Sequence, residues 1–236
     1  MEHDGLDPSI ALVQGVAGDF FVPRDHPAFE EIRETGGVTR PELALLLDYV
    51  EPGMTIADVG AGFGAYTIPL QRATGPSGRV CAFESNEALG ELLRWNVTLN
   101  GLARFAGSFE GEPWSRLEEL AAAGAGRIDL IRLDGGLADP EFLDGLESLI
   151  DAGRPGLFVT LASEMAAPIA DRLESLLLDA GYEFFRHAGG AHQPTDDFAV
   201  AAVRNFARTA GGYGVLALPA DTKAAARARR AAGRNG

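Results

Sequence analysis

Thr55-Ile-Ala-Asp-Val-Gly-Ala-Gly-Phe-Gly64 is the stretch that decides the fold. Its first half is a short apolar run that reads as a buried strand, and the glycines at 60, 62 and 64 end it. Helical spacing follows from about Gly64 to Ala73. Between a strand and a helix, missing side chains let the backbone come close to a ligand with its N–H groups facing it. The spacing is G-x-G-x-G behind Asp58. The dinucleotide fingerprint G-x-G-x-x-G needs its third glycine one position later, which tilts the loop away from a nicotinamide cofactor.

Outward from this loop, helix and strand patterns alternate. Leu43 to Val50 has helical spacing and stops at Glu51-Pro-Gly53, and after the turn Gly75-Pro-Ser-Gly78 a second strand runs from Arg79 to Phe83. Glu84 ends that strand 20 residues after Gly64, where a carboxylate accepts hydrogen bonds from both ribose hydroxyls. A helix over Asn86 to Leu99 stops at Asn100-Gly101, Arg104 to Gly107 is a weak third strand, and Trp114 to Ala123 is helical. Ile128 to Asp134 is a fourth strand with a carboxylate at its carboxyl end, the edge where open α/β sheets carry their sites. Helices over Glu141 to Ile150 and Pro168 to Ala180 flank a strand at Leu157 to Leu161. Tyr182 to Arg186 and Phe198 to Val203 then make a final antiparallel pair at a sheet edge. The expected architecture is an α/β doubly wound sheet with a final antiparallel strand. Residues 1–40 form an N-terminal cap, 41–210 the ligand-binding domain, and 211–236 a basic tail, a frayed helix or disordered.

Composition narrows the class. With 46% apolar and 23% charged residues, the 236-residue chain suits one sizeable domain. No apolar run approaches the roughly 18 residues of a membrane span, and Met1 to Asp7 is acidic rather than a signal peptide, so a cytoplasmic protein is expected. The net charge of −14 repels phosphate backbones, which argues against a nucleic-acid partner. Cys81 stands alone among Val80, Ala82 and Phe83 and reads as strand core. Asp134, Asp139 and Glu141 match no recognisable cation loop, so no metal is expected. Oligomeric state stays open, a homodimer included.

Four segments resemble the FkbM-type methyltransferases: Glu51 to Thr67, Gly75 to Asn86, Asn96-Val-Thr-Leu-Asn-Gly-Leu102, and Ile128 to Asp134. The resemblance implies a Rossmann-like class I methyltransferase fold, S-adenosylmethionine as cofactor, and O-methylation of a sugar, polyketide or other small hydroxyl acceptor. It assigns Asp58, Gly60, Gly62, Gly64 and Glu84 to the cofactor. Thr67 and Asn86 lie in matched motifs and reach the methionine carboxylate and the ribose, with core packing and helix capping as equally good alternatives. Ser108 and Phe109, just past the third strand, fall where this fold lines the adenine, and Asp134 lies near sulfonium and acceptor. Two departures stand out. Gly60-Ala-Gly62 replaces the family's Gly-Ala-Asn, and Asp134-Gly-Gly-Leu-Ala-Asp139 replaces Asp-x-Glu-Gly-x-Glu.

A hydroxyl nucleophile must lose a proton, and histidine titrates near neutral pH. His187 and His192 flank Ala188-Gly-Gly-Ala191 in the expected loop between the final strands, which makes them, His192 first, the candidate acceptor-side bases beside Asp134. The alternatives are a cofactor-binding protein without turnover, suggested by the altered segment after Asp134, and a nicotinamide oxidoreductase.

Overall fold

The structure is a computed structural model that describes residues 7–15, 17–27, 29–35, 41–102, 106–109, 127–134, 140–160, 167–188, 191–195 and 214–232. A hairpin of β1 (Ile10–Gly15) and β2 (Gly18–Pro23) leads through α1 (Phe29–Thr35) and α2 (Pro41–Leu47) to the main sheet. Then come β3 (Thr55–Val59), α3 (Thr67–Thr74), β4 (Arg79–Phe83), α4 (Glu87–Leu99), β5 (Ala106–Phe109) and β6 (Leu130–Asp134). The chain continues with α5 (Pro140–Gly153), β7 (Gly156–Thr160), α6 (Ala167–Asp179), β8 (Tyr182–Ala188), β9 (Ala191–Thr195), β10 (Gly214–Pro219) and α7 (Lys223–Ala232).

Eight strands form one sheet in the order β5-β4-β3-β6-β7-β10-β8-β9. The first five pair in parallel, and β10 runs antiparallel to both β7 and β8. The chain enters at β3, builds outward to β5, and returns to the other side of β3 as β6. The strand order therefore reverses between β3 and β6, and the carboxyl ends of the strands at such a switch are where open α/β sheets bind ligands.

Period-two alternation divides the core between the two faces of the sheet. Ala57, Val59, Ile131, Leu133, Leu157 and Val159 pack on one face with Phe142, Leu146 and Leu173 of α5 and α6. Ile56, Leu130 and Phe158 pack on the other with α2, α3 and the hairpin residues Val13, Phe20 and Val22. The N-terminal hairpin thus shares a core with this face of the main sheet. Cys81 is buried, as its neighbours imply, and burial pushes its thiol pKa up.

The carboxyl-terminal end departs from the sequence reading. Residues 214–232 are no tail: β10 is buried along its whole length between β7 and β8, with Val215 and Ala217 in one core and Leu216 and Leu218 in the other. The signal was the apolar run Val215 to Leu218 behind Gly214, obscured by the arginine-rich stretch after it. α7 docks through the buried Ala225 and Ala228, while Arg227 reaches Glu51 and Arg229 reaches Glu183. The antiparallel pair at the sheet edge is β8 with β9, so its second strand is Ala191–Thr195. The strand expected at Phe198 to Val203 and the helix at Trp114 to Ala123 lie outside the described residues.

Candidate functional site

The loop after β3 holds three glycines at positive φ: Gly60 at 75°, Gly62 at 58° and Gly64 at 98°. Gly64 and Gly62 have different reasons to be glycine. A Cβ on Gly64 would lie 2.9 Å from Leu93 Cδ1, so this position lets the loop close onto α4. A Cβ on Gly62 would meet nothing within 4 Å, so the Gly62 backbone faces open space and offers a cradle to a ligand.

The loop is anchored beneath. Gly60 and Ala61 donate their N–H groups to Phe83 O at 2.9 and 3.0 Å, and Gly64 donates to Ala61 O at 3.0 Å. Gly62 donates to Glu84 Oε2 at 2.7 Å, while Glu84 Oε1 accepts from Asn86 N at 2.8 Å. The half-buried Glu84 carboxylate therefore spans the tips of β3 and β4, at the position expected for a ribose acceptor. A carboxylate oxygen has room for a second hydrogen bond, so both oxygens can still accept from hydroxyls. Asn86 Oδ1 accepts Leu89 N at 3.1 Å, which is the helix-capping role: its side-chain oxygen is committed to α4.

Asp58 and Thr67 depart from their expected role as ligand contacts, because both are fully buried and spent on each other. The Thr67 hydroxyl donates to Asp58 Oδ2 at 2.6 Å, and Asp58 Oδ1 accepts from Arg132 Nη1 at 3.1 Å. The same Nη1 donates to Gly60 O at 2.8 Å, Nη2 donates to Thr160 Oγ1 at 2.7 Å, and the guanidinium stacks 4.2 Å from the Tyr66 ring centroid. Asp58 and Arg132 are register partners in β3 and β6, so pairing of the strands itself brings them together. The result is a buried ion pair that ties the glycine loop to three strands. The sequence reading missed Arg132, although it is the one charge between Leu130 and Leu133.

Asp134 ends β6, half-buried, in register with Thr160 of β7. It shares the strand face of Arg132 two residues earlier, at the carboxyl edge of the sheet. Ser108 and Phe109 are not past the third strand but within it, paired with Ala82 and Phe83 of β4. The two histidines are not in a loop either. His187 lies in β8 and His192 in β9, opposite one another across the hairpin. With β7 and β10 between β6 and β8, their backbones lie about 14 and 19 Å across the sheet from β6, at roughly 4.8 Å per strand. The structure brings Glu84, the glycine loop and Asp134 to the carboxyl ends of the neighbouring strands β4, β3 and β6, and leaves the histidine pair at the sheet edge. Among the described residues, no group of three or more His, Cys, Asp or Glu side chains is arranged to hold a metal.

No protein-family model and no curated protein matches the chain. Solved structures do resemble it. An O-methyltransferase from Bacillus cereus in complex with SAH superposes with a TM-score of 0.53 at 15% identity, covering 75% of this chain and 79% of that one. A precorrin-8w decarboxylase from Methanobacterium thermoautotrophicum gives 0.51 at 17% identity, over 75% of this chain and 88% of that one. A transferase from Pyrococcus horikoshii, described as putative, gives 0.50 at 12% identity, over 89% and 71% of the two chains. The fold is the Rossmann-like class I methyltransferase fold.

Proposed function

We propose that the chain is an S-adenosylmethionine-dependent methyltransferase that methylates a hydroxyl of a small molecule. The observation that carries this reading is the pairing, at the strand-order switch, of an open Gly62 cradle with a carboxylate 2.7 Å from its N–H. Sharing a fold with an O-methyltransferase and a decarboxylase leaves the reaction to be argued from the site. The resemblance to FkbM-type enzymes supports oxygen as the methylated atom and a sugar, polyketide or similar molecule as acceptor.

The residues present fit the cofactor. Gly60 to Gly64 lets the backbone approach the methionine and ribose portions, and Glu84 accepts the ribose hydroxyls. When bound, S-adenosylmethionine supplies a methyl group on a positively charged sulfur. Asp134, at the carboxyl edge of the sheet, would place negative charge near that cation, would aim an incoming hydroxyl by accepting its hydrogen bond, and would take the proton that the hydroxyl loses as its oxygen gains the methyl. Such transfer depends chiefly on alignment, because charge is dispersed rather than created as the methyl moves. The net charge of −14 favours this cationic cofactor and disfavours nucleic acid as acceptor. No described helix is long and apolar enough to cross a membrane.

The test is calorimetric titration of S-adenosylhomocysteine, paired with transfer of a labelled methyl group to a panel of hydroxylated metabolites. Glu84→Ala is expected to weaken binding by about 1–3 kcal/mol, the cost of stranding partners of a charged hydrogen bond. Unchanged affinity in that variant, or no binding by the parent, overturns the reading.

A further inference from the structure

We infer that Asn96 of α4 is a positioning residue for the cofactor loop, and that it acts by fastening the N-terminal hairpin to that loop. The inference rests on the methyltransferase reading for its ligand. One side of β2 pairs with β1. On the other side, two asparagine carboxamides take the place of a neighbouring strand. Asn100 Oδ1 accepts Asp19 N at 3.1 Å and its Nδ2 donates to Asp19 O at 2.7 Å. Asn96 does the same for Phe21, at 2.6 and 3.0 Å. The match is geometric: residues two apart on a strand are separated by about 6.6 Å, and four residues of helix rise about 6 Å.

The two asparagines differ in their remaining bonds. Asn100 Oδ1 also accepts from Arg72 Nη2 of α3 at 2.9 Å, and its Nδ2 turns back to Asn96 O within α4 at 2.8 Å. Asn96 Nδ2 instead donates to Phe63 O at 2.8 Å, inside the glycine loop. The peptide between Phe63 and Gly64 is then held at both ends, since Gly64 N donates to Ala61 O. Glycines flank Phe63 on each side, so little else restrains that peptide plane. The hairpin adds a second grip. The Phe20 ring meets Phe63 edge-on at 6.2 Å, and His26 in the turn after β2 does so at 5.0 Å. Asn96 is fully buried, so these bonds are not exchanged with water. The hairpin, the helix and the cofactor loop therefore meet at one side chain.

Asn96→Ala and Asn100→Ala each remove two bonds to β2, and Asn100→Ala also frees Arg72, which holds Ala17 O at 2.6 Å, so the second loosens the hairpin at least as much, but only the first releases Phe63. Asn96→Ala is expected to weaken S-adenosylhomocysteine about tenfold and speed amide exchange at Gly64, in line with the loss of one well-placed buried hydrogen bond. Asn100→Ala is expected to lower the melting temperature while leaving affinity within about twofold and Gly64 exchange unchanged. Equal effects of the two variants on affinity and exchange, or no effect of Asn96→Ala, overturn the inference. Should Asn96→Ala fail to fold, Asn96→Ser takes its place with the same expectation, since the shorter side chain carries no carboxamide to bridge Phe21 and Phe63 O. A parent protein that does not bind S-adenosylhomocysteine sinks the methyltransferase reading, and the exchange comparison still decides whether Asn96 positions the loop.

Discussion

The buried pair of Asp58 and Arg132 yields a prediction whose size follows from the contacts. Arg132→Met removes the donors to Asp58, Gly60 O and Thr160, and leaves a fully buried carboxylate with only the Thr67 hydroxyl. Breaking a buried ion pair from one side costs about 3–5 kcal/mol, because the surviving charge is stranded. For a chain of this size each kcal/mol lowers the melting temperature by about 2–4 °C, so a fall of about 6–20 °C is expected. The double variant Asp58→Asn with Arg132→Met keeps an acceptor for Thr67 and carries no charge. It is expected to be more stable than Arg132→Met alone by at least about 1 kcal/mol, the range of coupling between residues in contact. Urea unfolding followed by circular dichroism measures all four corners of this cycle. Strictly additive effects would show that the two residues do not act as a pair, and a single variant as stable as the parent would refute the account of the loop's anchor.

The glycines of the loop are expected to separate stability from binding. Gly64→Ala meets Leu93 at 2.9 Å and should destabilise beyond the roughly 1–2 kcal/mol of left-handed backbone strain, whereas Gly62→Ala meets no atom and should cost only that strain while weakening S-adenosylhomocysteine more than Gly64→Ala does. Thermal melts and calorimetry on the same samples decide, and the reverse order would mean the cradle is misassigned. With an acceptor in hand, His192→Ala should keep turnover within about threefold, because its strand lies four positions from β6 in the sheet. A loss of about 10²–10⁴, the usual contribution of a general base, would return the histidine to the mechanism.

The glycine loop, Glu84 and the strand ending in Asp134 are legible in the sequence because each depends on a local rule: chain reversal by glycine, a carboxylate at a strand end, an apolar run. What holds them is not. Arg132 reads as an interruption of an apolar strand until parallel pairing puts it opposite Asp58, 74 residues away in sequence. Asn96 and Asn100 match a family pattern, yet their partners Phe21 and Asp19 are distant in the chain, and no periodicity links a helix to the edge of a hairpin. The histidines were drawn into the site by their chemistry and by two glycines that resembled a loop. In the structure both belong to strands, and sheet order, which is a non-local property, sets their distance from β6. The slot taken by β10 was hidden for the same reason: its residues show that they are buried, not between which neighbours.

The position of β10 has a consequence for how the protein is made. Ribosomal synthesis delivers β7, β8 and β9 before β10, yet β10 is the strand that joins β7 to β8. Until it emerges, the parallel half of the sheet ends in an unpaired β7 and the β8–β9 hairpin has an open side of its own. Both edges present bare N–H and C=O groups flanked by apolar side chains, the template on which nascent chains misassociate. Closure of the sheet waits for residues 214–219, and the order of translation sets an interval in which a holding chaperone has the most to do.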